Sequence, residues 1–117
     1  MSEQQEKVSR QMFRRPGVVN ARRFVGEYCF ELEGLSEMIR VRIFGSLDDD
    51  WFEVAQSHYL QPPGASSPSM SETQRYGSVE EALNDVLELF SAGYQQAVDA
   101  GHVPDDAWLM PSRELDW

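Results

Sequence analysis

Residues 23–33 alternate in character, with Phe24, Gly26, Tyr28, Phe30 and Leu32 on one side and Val25, Glu27, Cys29, Glu31 and Glu33 on the other. A period of two predicts a strand with one buried face, because successive side chains of extended backbone point to opposite sides. Residues 38–44 alternate again, Ile39, Val41 and Ile43 being opposed to Arg40 and Arg42. With residues 34–37 as the hairpin loop, Leu32 would face Ile39, Phe30 would face Val41 and Tyr28 would face Ile43 on the core side. Glu31 would then face Arg40, and Cys29 would face Arg42, on the other side. Residues 51–61 predict a third strand, rich in aromatic and branched side chains but apolar on both faces, so that it needs cover on both.

The period changes to that of a helix after Ser78. Val79, Ala82, Leu83, Val86, Leu87, Phe90, Gly93, Tyr94, Ala97 and Val98 form a stripe at helical spacing. Ser78 and Glu81 stand in capping-box spacing, Glu80, Glu81 and Asp85 lie near the positive end of the dipole, and Gly101 suits a left-handed stop. A rod of about 22 residues would be ~33 Å long, enough to cross a three-stranded sheet. Two tryptophans follow it, and Trp108 is expected to pack back on the sheet or across a dimer interface, since a solvated tail rarely carries such apolar area.

Two segments lack either period. Residues 2–12 carry too few apolar anchors for a self-supporting helix, and the Arg14-Arg15-Pro16-Gly17 run would end one. Residues 61–77 have the prolines, glycines and serines of a long loop, a type that is either a binding element or disordered. The 117 residues suit one core. The expected organisation is a flexible segment over residues 1–17, a single α+β domain over 18–111 and a tail over 112–117. Its architecture would be a three-stranded antiparallel meander against one long C-terminal amphipathic helix, with the tail packing back.

Net charge is −10, but its distribution is uneven. Residues 1–42 hold eight basic side chains against six acidic ones, whereas residues 43–117 hold two against fourteen. Such an acidic surface repels nucleic acid phosphate and anionic lipid, and it favours solubility or a partner with a basic surface. No apolar run approaches the length of a spanning helix, and the charged first fifteen residues have no apolar signal core, so a cytoplasmic location is expected. Cys29 is the only cysteine, which excludes a disulfide within the chain.

Residue patterns that carry chemistry are sparse in this chain. No nucleotide, dinucleotide, zinc or twelve-residue calcium-loop motif is present, and no cofactor is expected. Ser57 and His58 adjoin in the predicted third strand and would point to opposite faces, the wrong arrangement for an activated hydroxyl. Cys29, His58 and Tyr59 remain as polar groups for a small-ligand or small-enzyme pocket between sheet and helix.

The run YGSVEEALNDVLELF is similar to the start of the helix in small acidic antitoxins of the HicB type, where a Ser/Thr-x-Glu-Glu-Ala-Leu stretch follows a short sheet. The likeness covers about fifteen residues, and the same run describes any capped amphipathic helix. The residues themselves favour a non-catalytic, protein-binding or regulatory domain that acts through an acidic helix face and the Pro/Ser loop, assembled as a homodimer. Met70, Tyr76, Glu80, Asp85, Glu88 and Trp108 are the side chains expected to meet the partner. The N-terminal arginines are expected to pair with the acidic helix of the same or a neighbouring subunit.

Overall fold

The computed structural model describes residues 10–114. Three strands, β1 (Arg22–Phe30), β2 (Ile39–Ser46) and β3 (Phe52–Gln56), form an antiparallel sheet in the order β1-β2-β3. A short β4 (His58–Leu60) pairs with β5 (Leu109–Pro111) in a second sheet, and the long helix α1 (Val79–Asp99) contacts β3 and β4. The architecture is the α+β arrangement expected from the periodicities, with the tail returning through a 3-10 turn at Asp106–Trp108. The expectation of a flexible segment falls, for residues 1–9, outside the described residues, as do residues 115–117 of the tail; residues 10–13 are helical.

Ile39, Val41 and Ile43 of β2 are almost completely buried, together with Ala82, Val86, Phe90 and Ala97 of α1. Phe30 stands edge-on to Phe90, with ring centroids 5.3 Å apart. Full burial of each valine, isoleucine or phenylalanine among them stabilises the fold by about 1.5–3 kcal/mol, so the strand alternation and the helical stripe together account for the sheet–helix layer. Trp108 is only 3% exposed and meets the Tyr94 ring at 6.0 Å, so it packs within its own chain.

The hairpin differs from its expected register by two residues. Phe30 pairs with Ile39, Tyr28 with Val41, Cys29 with Arg40 and Glu27 with Arg42. An even slip leaves every side chain on its face, which is why the alternation could not detect it. The connection is longer than residues 34–37, and it inserts Leu35, 4% exposed, into the core. Gly34 (φ +89°) turns the loop, the Leu35 amide donates to the Leu32 carbonyl at 3.0 Å, and Ser36 donates from its amide (2.7 Å) and hydroxyl (2.5 Å) to Asp106.

A β-bulge between Phe24 and Gly26 overturns a second detail. The extra residue turns Val25 toward the core and sends Phe24, expected on the buried face, to the outer face, where it meets Phe44 edge-on at 5.9 Å. Bulges of this kind also bend an edge strand away from pairing with another chain.

The third predicted strand is in fact two. Ser57 interrupts it: its amide donates to the Arg40 carbonyl at 2.9 Å, its hydroxyl accepts the Arg40 amide at 2.8 Å, and its carbonyl accepts the Ser112 amide at 2.8 Å. One residue thereby closes the first sheet and opens the second, which explains how residues 51–61 are covered on both sides.

The helix starts and stops as its sequence predicts. The Ser78 hydroxyl accepts the Glu81 amide at 3.1 Å, while the Glu81 carboxylate reaches back to the Gly77 amide at 3.1 Å. At the other end Gly101 (φ +91°) and His102 return their amides to Val98 and Ala97, which satisfies carbonyls that a helix end leaves open. No helix among the described residues is long and apolar enough to cross a membrane.

Candidate partner-binding site

The pairing pattern of β2 with β3 defines which backbone groups remain outside the sheet. Ser46 donates to the Trp51 carbonyl at 3.0 Å and Ser57 donates to the Arg40 carbonyl at 2.9 Å, and both pairs lie in the register of Phe44↔Glu53 and Arg42↔Ala55. Antiparallel ladders alternate, so Glu53 and Ala55 direct their amide and carbonyl to β2, while Phe52, Val54 and Gln56 direct theirs to the outer edge. That edge is closed at both ends. Phe52 exchanges both hydrogen bonds with Tyr76, at 2.8 and 2.9 Å, and the Gln56 amide donates to the Glu114 carboxylate at 3.3 Å. Between them the amide and carbonyl of Val54 meet no partner among the described residues.

An open cleft of about 350 Å³ lies against this gap. Its floor is Val54 and Gln56, and its walls include Met70, Thr73 and Tyr76 from the long loop, Tyr59 from β4 and Glu114 from the tail. Tyr76 holds the loop in place. Its hydroxyl donates to Asp85 of α1 at 2.5 Å, where the Ser71 hydroxyl also donates at 2.5 Å. These two donors lower the Asp85 pKa, Ser71 more than Tyr76, while burial and the Asp85 bond raise that of Tyr76. The Pro/Ser loop is therefore a wall of the cleft, tied to β3 through Phe52↔Tyr76 and to β4 through Leu60↔Ser69.

Charge around the cleft is unequal. Arg22 lies 3.7 Å from Glu53 and stacks over the Phe44 ring at 4.0 Å. The Glu114 carboxylate has no such cation among the described residues, where its one polar contact is the Gln56 amide. Desolvation of its carboxyl against the strand raises its pKa above the ordinary glutamate value, and the amide bond opposes that rise.

The expected site residues fall into two groups. Met70 (59% exposed), Glu80 and Glu88 lie on the surface, Met70 beside the cleft and the two glutamates on the outer face of α1. Tyr76 and Trp108 are buried, and Asp85 is half-buried and engaged by Ser71 and Tyr76. Glu114, Val54 and Gln56 were missed by sequence reasoning. An unpaired strand amide has no side-chain signature, and a tail glutamate reads as solubilising charge.

Cys29, His58 and Tyr59 are not gathered in one pocket. Cys29 is exposed on β1 opposite Arg40, which separates it from Ser57 by a strand. The space between sheet and helix is filled by core side chains, and of the three only Tyr59 lines the cleft. Ser57 and His58 do meet, contrary to expectation: the hydroxyl lies 2.8 Å from Nδ1, because the chain bends at Ser57 instead of continuing as a strand. Nε2 of the same ring is 3.8 Å from Glu37. This serine is buried and its oxygen already accepts the Arg40 amide, so the arrangement braces the junction of the two sheets.

The described arginines pair mainly within the sheet region: Arg10 with Asp50 at 3.6 Å, Arg22 with Glu53, and Arg42 with Glu27 at 3.0 Å. Arg75 stacks over Trp51 at 4.1 Å. Of the N-terminal arginines expected to pair with the acidic helix of the same or a neighbouring subunit, Arg10 and Arg22 meet Asp50 and Glu53 within this chain. Comparison with protein-family models, with curated proteins and with solved structures finds no match to this chain, so its functional reading rests on its own residues.

Proposed function

We propose that this chain is a non-catalytic protein-binding domain, which takes an extended segment of another protein into the cleft along the outer edge of β3. The observation that carries this reading is the unpaired amide and carbonyl of Val54, set between two occupied positions on the same strand edge. An extended guest residue opposite Val54 would make both hydrogen bonds, and neighbouring guest side chains would enter the walls, as in strand addition generally. The gap from Phe52 to Gln56 spans four residue steps, about 13 Å of extended chain, so the guest contact is short and the complex reversible. The bulged β1 is the less suitable of the two edges.

The acidic face of α1, with Glu80 and Glu88, supplies a long-range field that attracts a basic partner rather than a second contact surface. A cytoplasmic homodimer is the assembly expected from the sequence, and sedimentation equilibrium tests it directly. The binding reading is tested by selecting a displayed library of random heptapeptides on the full chain and following the Val54 amide by hydrogen exchange. Selected peptides should slow exchange at Val54 and leave Glu53 and Ala55 unchanged. Recovery of no peptide, or of peptides that leave Val54 unaffected, would reject the site.

A further inference from the structure

We infer that the cleft is selective for a guest segment carrying a lysine or arginine, whose cation is read by Glu114. The inference rests on the binding reading above and adds the chemistry of the guest. Three observations support it. Glu114 lies at the end of the edge gap, with its Oε2 turned to the Gln56 amide at 3.3 Å. The other acidic wall of the cleft, Glu53, already has its arginine, whereas Glu114 has no cation among the described residues. The whole chain carries −10, so a basic segment is drawn to this surface before any contact is made.

The Glu114 carboxylate is exposed at the cleft and holds only the Gln56 amide, so a guest ammonium or guanidinium can reach it and form a charge-assisted hydrogen bond. The same carboxylate already caps the Gln56 amide, so it need not leave the edge to accept the cation with its second oxygen. Nothing comparable stands at the Phe52 end, where Tyr76 occupies both backbone bonds. Selectivity therefore belongs to the guest residue nearest Gln56.

The heptapeptide selection tests this when run in parallel on the native chain and on Glu114→Gln, which keeps the side-chain shape and its ability to accept from the Gln56 amide. Peptides that slow Val54 exchange on the native chain should be enriched in lysine or arginine at one fixed position, and the Glu114→Gln selection should lose that enrichment. For one recovered peptide, replacing the basic residue by alanine should weaken binding about ten-fold on the native chain and hardly at all on Glu114→Gln. Peptides that protect Val54 without a preferred basic position, or a preference that survives in Glu114→Gln, would overturn the inference while leaving strand addition intact. Failure of any peptide to protect Val54 would overturn both.

Discussion

The Tyr76 hydroxyl donates to the Asp85 carboxylate across 2.5 Å, and the same tyrosine donates its backbone to Phe52 at the edge of β3. One residue thus ties the long loop both to the helix and to the sheet. Tyr76→Phe keeps the buried ring and removes a hydrogen bond to a charged group, which should cost about 1.5–3 kcal/mol. A lower urea midpoint with an unchanged denaturant slope is the expected result; an unchanged midpoint would show that the bond contributes nothing net.

The same pair makes stability depend on pH at both extremes. Asp85 has a lowered pKa in the folded chain, so its contribution is complete above the ordinary aspartate value of about 3.9 and is lost as pH falls through the folded value. Asp106, lowered by its bonds from the Ser36 side chain and amide, acts in the same direction. Tyr76 has a raised pKa, so its contribution is complete below about pH 10 and declines as pH rises through the folded value. Thermal melts of Asp85→Asn should show a weaker dependence on pH below about 4 than the native chain does.

Ser57 accepts the Arg40 amide while donating its backbone to the Arg40 carbonyl, so its hydroxyl stands in for a ladder bond. Ser57→Ala leaves that amide without its partner at a buried junction and should destabilise the chain by about 1–3 kcal/mol. Faster exchange of the Arg40 amide, measured by nuclear magnetic resonance, would locate the effect at the seam between the sheets.

Gly34 and Gly64 share the same left-handed conformation (φ +89°) but not the same surroundings. A Cβ at Gly34 would lie 2.9 Å from Cβ of Pro104, whereas one at Gly64 would meet nothing within 4 Å. Gly64→Ala should therefore cost the backbone strain alone, about 1 kcal/mol, and Gly34→Ala should cost more. Adding Pro104→Gly, which removes that Cβ, to Gly34→Ala should recover part of that excess; purely additive losses in chemical denaturation would exclude the contact as its cause.

Hydrogen exchange on the unliganded chain distinguishes the two orientations along β3. The Glu53 and Ala55 amides point to β2 and should exchange slowly, while that of Val54 should exchange faster than both although it lies between them. Equal protection of all three would mean that the outer edge is already filled.

The register of β1 on β2 shows how far the sequence could be read. Its alternation identified the buried faces of Ile39, Val41 and Ile43, yet the loop length was wrong, because a two-residue slip preserves every facing and Leu35 looked like a turn residue. The bulge at Val25 was equally silent, since one extra residue breaks the alternation only where the partner strand is known. Of the cleft, Met70, Tyr59 and Tyr76 were singled out as polar or gripping side chains, but the strand edge they surround was not.

Local physics alone determined the helix from Ser78 to Gly101, because its cap, its stripe and its stop all depend on residues within a few positions of one another. The same is true of the buried face of β2, whose alternation is set by backbone geometry. Tertiary structure alone decided that the chain breaks at Ser57, that Trp108 is core, and that Val54 is left unpaired between Tyr76 and Glu114. Each of those outcomes depends on which distant backbone group arrives at a given amide or ring, a competition among long-range contacts that no sequence window contains.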